Sequence, residues 1–419
     1  MRHEVPRPAQ RGEGGAERRV RGRATAWLAF LGPFFFASYG FANWLAARRA
    51  HVGAIAFAWE HRIPFLAWTI IPYWSIDLLY VISLYVCTTK RELDRHALRL
   101  LFVQLVCVAC FIAYPLRFSF ARPEVHGVSG ALFDILGSFD KPFNQAPSLH
   151  IALLVLIWTR LAAHIERRWF LNAWMSLIAV SVLTTYQHHF IDVPTGLAVG
   201  LIALWIDEPQ LARNPLRWRI AAIYFAGAMA LWWTYWAALA LLCVACNYAF
   251  LGARAFGKRS DGSISVPMLI LFAPYTLGAW INSRLWTRRC AGAGEVADGV
   301  FIGRIPLRRA PFDAIVDMCA ELPCRGDAKF YRSIPVLDHI AASDDDLRAA
   351  AAAIEEARTH GRVLVCCALG FSRSATAVIA WLLMTRRATS VEAAMEMVRR
   401  ARPAMRLHRP HRLALEALA

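Results

Sequence analysis

Acidic residues are scarce in this chain. Its 419 residues carry 30 Asp and Glu against 47 Lys and Arg, and charged residues make up only 18% of the whole. A soluble protein of this size carries more charge and less than the 58% apolar content found here. Cysteine is also sparse: ten are scattered without the spacing of a disulfide framework. Two Cys-x-x-Cys pairs, Cys107/Cys110 and Cys243/Cys246, lie inside apolar runs without neighbouring ligands and read as buried thiols on helix faces. No basic stripe is interleaved with aromatics, which argues against a nucleic-acid partner. No solenoid-type repeat is present. No small-residue cleavage site follows the first apolar run, so that run reads as a spanning helix and not as a cleaved signal.

What is present is a series of apolar runs separated by basic loops. The net charge of +17 gathers at the N-terminus (Arg11, Arg18, Arg19, Arg21, Arg23) and between the runs, the mark of an integral, multi-pass membrane protein. Residues 1–24 are expected to form a disordered basic arm. Candidate spans follow at 25–46, 64–86, 98–115, 149–163, 171–185, 193–206, 220–251 and 264–286. The 220–251 run would extend about 48 Å as one helix, well beyond a core of about 30 Å. Its centre, Trp232-Trp233-Thr234-Tyr235-Trp236, suits a membrane–water interface, so it is expected to divide, giving nine spans. A single tilted helix, giving eight, is the alternative. The basic loops at 90–99, 160–168 and 213–219 share the arm's side, cytoplasmic by the positive-inside rule. Eight spans would leave the C-terminal domain on that side, and nine would place it opposite.

Beyond residue 290 the pattern changes to short apolar stretches alternating with helical ones, an α/β domain with a partly parallel sheet. Within it Cys366-Cys367-Ala368-Leu369-Gly370-Phe371-Ser372-Arg373-Ser374 joins the apolar run 363–365 to the helix-like run 375–384. A strand–loop–helix turn of this kind offers backbone N–H groups and a helix N-terminus to an anion. Cys367 can supply a thiolate, Gly370 a tight curl, and Arg373 a fork for two phosphate oxygens. Acidic residues Asp344-Asp345-Asp346 read as a helix cap, not as a metal cluster.

This loop resembles the Cys-x5-Arg signature of the dual-specificity, protein-tyrosine-type phosphatases over about residues 296–419. The resemblance implies Cys367 as nucleophile, Arg373 as phosphate-binding arginine, Ser374 as the hydroxyl that helps the thiolate leave, and Asp338 as general acid. The family's His before the nucleophile is Cys366 here.

A second cluster lies in the apolar half. His150 opens the fourth span, His188 closes the fifth and Asp192 opens the sixth, all at one expected membrane face. Ionisable groups at such a boundary are costly unless used. One His attacking phosphorus, a carboxylate holding its tautomer and a second His protonating the leaving oxygen would form a phosphoryl-transfer site. His189, off the His-x3-Asp spacing, reads as interfacial. Pro147-Ser148-Leu149-His150 and Ser181…His188-x3-Asp192 resemble the second and third motifs of the type 2 phosphatidic acid phosphatase superfamily, in its inositol phosphorylceramide and sphingomyelin synthase branch. Of the first motif only Arg122-Pro123 matches, with Arg117 and Lys141 as nearby sources of positive charge. The resemblance implies His188 as nucleophile, Asp192 as its partner and His150 as acid.

Together these readings give a disordered arm (1–24), a six-helix phosphatidic acid phosphatase-like core (25–208), two or three extra spans (209–289) and a small α/β phosphatase domain (290–419). The expected function is bifunctional phosphatase/phosphotransferase chemistry on phospholipid headgroups in the bacterial inner membrane. Neither site is expected to use a metal or cofactor. The alternative is a lipid phosphotransferase carrying a non-catalytic, phosphate-binding module.

Overall fold

The computed structural model describes residues 10–206, 214–307, 311–324 and 328–418. Contacts divide the chain into two compact units, Met1–Leu204 and Trp205–Ala419.

The first unit is helical: α1 (Gln10–Ala46), α2 (Ile70–Tyr85), α3 (Lys90–Ala113), α4 (Gly127–Phe139), α5 (Leu149–Ala162), α6 (Arg168–Thr184) and α7 (Asp192–Trp205). Three stretches, Arg18–Ala46, Ala67–Tyr85 and Lys90–Ala113, are long and apolar enough to cross a membrane. The other expected spans of this half are shorter. Helices α5, α6 and α7 hold 14, 17 and 14 residues, about 21–26 Å at 1.5 Å per residue. The expected disordered arm is corrected from Gln10 onward, where α1 already begins; residues 1–9 lie outside the described residues. Extending an existing helix fixes one residue per added hydrogen bond, so a polar segment can continue an apolar span at little cost. Arg23 adds an ion pair to Asp94 at 2.6 Å. Helix α4 forms within 117–145, where no element was expected, and buries Phe133 and Leu136.

Helix α7 meets α5 through Gly196-x3-Gly200. A Cβ at Gly196 would sit 2.4 Å from the Ser148 carbonyl oxygen, and one at Gly200 2.9 Å from that of Ala152. Small residues four apart let two helix backbones approach without water between them.

In the second unit the 220–251 run divides as expected. Helix α8 (Pro215–Ala230) and α9 (Trp236–Cys246) are joined by a single 3-10 turn, Trp232–Thr234, and by Tyr235 at φ +27°. The 264–286 run is also broken, into α10 (Val266–Leu271) and α11 (Ala273–Thr287), each with a proline in its first turn. Then come β1 (Ala293–Ala297), β2 (Val300–Arg304), β3 (Ala314–Cys319), β4 (Phe330–Val336), α12 (Asp344–Arg358), β5 (Val363–Cys367), α13 (Arg373–Met384), α14 (Val391–Ala401) and α15 (Arg409–Glu416).

The five strands form one sheet in the order β1-β2-β5-β3-β4, antiparallel at β1–β2 and parallel elsewhere. This is the partly parallel α/β domain read from the sequence. Every residue of β3 and β5 is buried, which explains their near-continuous apolar runs. In register, Val363 lies between Val300 and Ala314, and Val365 between Ile302 and Val316. Cys367 therefore ends the central strand at its carboxyl edge, where open parallel sheets present their ligand loops. The Asp344-Asp345-Asp346 run is a capping device: Ser343 Oγ accepts from Asp346 N–H at 3.2 Å, and Asp346 Oδ2 accepts from Ser343 Oγ at 2.6 Å.

Candidate active site

The turn from β5 into α13 curls around the Cys367 sulfur. Gly370 N–H points at Sγ from 3.2 Å, and Ser374 Oγ lies 3.4 Å from it. Gly370 is needed twice over. Its φ of +73° is left-handed, and a Cβ there would lie 2.4 Å from the Gly303 carbonyl carbon on β2.

Arg402, a residue for which the sequence offered no signal, braces this loop from outside. It is buried and donates Nε to Gly370 O at 3.2 Å and Nη2 to Leu369 O at 2.8 Å. A third bond, from Nη1, goes to Ala291 O. With those carbonyls turned to Arg402, the loop's N–H groups are free to face the sulfur. Ser372 Oγ, at 3.1 Å from His411 Nε2, fixes the loop's far side. Burial pushes the His411 imidazole below its ordinary range.

Arg373 is held differently from the expectation of an end-on fork for phosphate. That fork is taken by Glu321: Nη1 donates to Oε2 at 2.8 Å and Nη2 to Oε1 at 2.7 Å. Nη1 also reaches Val336 O at 3.0 Å, and Nη2 lies 3.2 Å from Asp338 Oδ1. Nε is buried without a partner among the described residues. On the guanidinium's side edge, Nε with Nη2, the one contact is thus Asp338 at Nη2, and this is the edge a phosphate can take. Burial alone would disfavour the Arg373 charge, but the Asp338 and Glu321 carboxylates outweigh it and raise its pKa. Burial likewise pushes Glu321 up, and Arg373 reverses this, leaving it below the usual carboxylate range. Glu321 carries no spacing signal; it follows β3 in an ordinary-looking turn.

Cys366, in the position of the family's histidine, faces away from this loop. It clusters with Asp317 and Cys324, their ligand atoms all within 4.8 Å. A hydrogen bond with Cys324, followed by burial, raises the Cys366 thiol pKa. The cluster already has its cation: buried Lys258 Nζ pairs with Asp317 Oδ2 and donates to Cys319 O at 2.7 Å and Leu322 O at 2.8 Å. Burial pulls the Lys258 pKa down, and Asp317 more than restores it. The set is a buried ion pair roofed by Tyr331 (Oη to Asp317 Oδ2, 2.7 Å).

Residues 305–417 match the family profile of the dual specificity phosphatase, catalytic domain. The C-terminal α/β domain is of the dual-specificity phosphatase type. Similar solved structures include human DUSP28, at 27% identity over 30% of this chain and 94% of that chain with a TM-score of 0.28. Tk-PTP in its active form is 29% identical over 31% of this chain and 97% of that chain, with a TM-score of 0.27. PTPMT1 in complex with PI(5)P is 16% identical over 30% and 94%, with a TM-score of 0.26. No curated protein matches the chain.

In the first unit the structure brings His150, His188 and Asp192 together. His188 Nδ1 lies 3.2 Å from Asp192 Oδ2, and Ser148 N–H donates to Asp192 O at 3.0 Å. His150 and His188 line one cavity of about 350 Å³ with Tyr73, Asp77, Asp140 and Asn144. His150 stacks on Tyr73 with ring centroids 4.1 Å apart, and its Nε2 is buried without a partner among the described residues. Arg122 lies over Phe133 at 4.7 Å and reaches Tyr186 O at 3.4 Å, two residues before His188. Arg117, Arg122 and Lys141 are all exposed, and none of them lines the cavity. His189 is buried and not interfacial as expected. It lies 2.9 Å from Glu60 Oε2, and Ser119 N–H donates to it at 3.1 Å. Of the Cys-x-x-Cys thiols, Cys107 and Cys243 are buried, while Cys110 and Cys246 are partly so.

Proposed function

We propose that the C-terminal site hydrolyses phosphate monoesters through a phosphocysteine. The observation that carries this reading is the convergence on Cys367 Sγ of Gly370 N–H and Ser374 Oγ, beside an Arg373 whose Nε has no partner among the described residues. The thiolate attacks phosphorus while the P–O bond to the alcohol breaks, and Asp338 gives its proton to the departing oxygen. Water then attacks phosphorus, Asp338 takes up its proton, and the S–P bond breaks. Ser374 Oγ stabilises the returning thiolate, while Gly370 N–H and the Nε/Nη2 edge of Arg373 hold the equatorial oxygens. When phosphate takes that edge, Nη2 lets go of Asp338, freeing the acid for the leaving group.

For the first unit, His188 is the nucleophile on a phospholipid headgroup, Asp192 holds its ring and His150 protonates the leaving oxygen. Arg122, which reaches Tyr186 O two residues before His188, supplies the positive charge. The chain is then a bifunctional, multi-pass enzyme of a bacterial inner membrane. The 3.2 Å His188–Asp192 contact supports this part.

The test is trapping. The full-length chain, in detergent with p-nitrophenyl phosphate and quenched in acid, should yield a phosphocysteine at Cys367. Cys367→Ser should release no phosphate from this substrate. Full turnover by that variant refutes the C-terminal assignment. Turnover without a trapped phosphocysteine refutes its mechanism.

A further inference from the structure

Resting on the phosphatase reading of the Cys367 loop, we propose that its substrate is an acyl-lipid phosphomonoester. Its backbone and first acyl carbons lie in a cavity that α8, α9 and α11 wall off beside the loop. The cavity holds about 340 Å³, within the range of about 300–1,000 Å³ usual for small-molecule sites. One end adjoins the phosphate loop: Glu321, Asp338, Ala368 and Leu369 line it. The other walls are Leu231 after α8, Leu241 on α9, and Tyr275, Gly278 and Ala279 on α11. Among the described residues no Lys or Arg lines the cavity, so beyond the phosphate it suits an uncharged, apolar group.

Helix α11 shows where that group comes from. Pro274, Tyr275, Gly278, Ala279 and Asn282 form its cavity face. The alternate face carries Leu277, Ile281 and Leu285, exposed by 62%, 52% and 56%. Helix α8 likewise exposes Ile223 and Phe225, and the turn after it exposes Trp232 and Trp233. Rows of exposed large apolar side chains on neighbouring helices, ended by paired indoles, are suited to a lipid phase. The cavity lies between that phase and the sulfur.

The helical segment is fastened to the loop and to the ends of β2 and β4 by specific bonds. Buried Ser283 Oγ donates to Ala368 O at 2.5 Å, Arg284 Nη2 to Ile305 O at 2.8 Å, and Tyr248 Oη to Asp338 O at 3.2 Å. The apolar walls therefore have a set position relative to the nucleophile, as a specificity site requires. Because apolar wall follows directly on Ala368 and Leu369, only a short polar spacer fits between phosphorus and the first acyl carbons.

The experiment uses the full chain in mixed micelles, with His188→Ala throughout so that the first unit's proposed site adds no turnover. It compares two short-spacer lipids, dioleoyl phosphatidate and 1-oleoyl lysophosphatidate, with p-nitrophenyl phosphate and a phosphotyrosyl peptide. Gly278 lines the cavity and a Cβ there meets nothing within 4 Å, so Gly278→Trp introduces bulk on the α11 wall; Leu241→Trp introduces it from α9. Each should lower the ratio of kcat/KM on the better lipid to that on p-nitrophenyl phosphate by at least about tenfold, as expected for occluding an apolar subsite. A ratio unmoved in both variants overturns the inference, as does a His188→Ala parent that prefers the peptide to both lipids. Loss of turnover in Cys367→Ser alongside an unmoved ratio would sink the cavity assignment alone. Persistent turnover in Cys367→Ser would sink the phosphatase reading beneath it.

Discussion

Arg373 is the residue on which the C-terminal site turns, and its geometry depends on a partner that no motif marks. Glu321 takes the guanidinium's end-on fork and leaves Nε and Nη2 for a phosphate. Both partners are almost fully buried, 2% and 5% exposed at the side chain, so neither charge can turn to water if the other is removed. Glu321→Gln should therefore misplace Arg373. A misplacement on the order of 1 Å lowers kcat/KM on an aryl phosphate by about 100-fold. Steady-state kinetics check this, and a change below threefold would mean that Glu321 does not orient the arginine. Cys366 shows the opposite case, a residue the resemblance made conspicuous and the fold turns away. The loop bracing comes instead from Arg402, whose bonds to Leu369 O and Gly370 O arrive from 32 or more residues further along the chain.

Elements were legible where periodicity and turn chemistry agree. The Trp232–Trp236 break was readable because interfacial aromatics interrupt an apolar run too long for one span. The end of β5 was readable because an apolar strand runs into a Gly-containing turn. Span number was not, because hydropathy measures composition, while crossing a bilayer also needs continuous helix. The break between α10 and α11 and the 14-residue lengths of α5 and α7 arise from local backbone geometry. The phosphate turn is also an element-level object, closed against β2. Gly370→Ala drives a Cβ to within 2.4 Å of Gly303 at a left-handed φ, and the conformation alone costs about 1–2 kcal/mol. The loop should open and lose its anion. Orthovanadate should raise the unfolding temperature of the wild type and not of Gly370→Ala; equal shifts would contradict the close-packed turn.

The second unit holds α8–α11 and the phosphatase sheet together, and Lys258 is the clearest joint within it. This lysine belongs to the helical segment by sequence, yet it is buried on Asp317 of β3. Lys258→Met leaves Asp317 buried and unpaired, a loss of about 3–5 kcal/mol, while adding Asp317→Leu should recover much of it. Thermal unfolding of the full chain in detergent measures both. A double variant no more stable than the single one would show that the pair does not act as a unit. A fragment cut at residue 290 omits Lys258, Ser283 and Arg284 and so lacks five bonds that hold the sheet and the phosphate turn.

The sequence by itself determined where both sets of candidate residues lie. Cys367, its turn and the helix after it are contiguous in the chain, and His188 and Asp192 lie four positions apart, so spacing alone reports them. Only the tertiary structure decided which groups hold the arginine, which walls adjoin the sulfur and which basic residues stay outside the histidine cavity. Those choices pair residues tens of positions apart, and chain order carries no record of distances that folding creates.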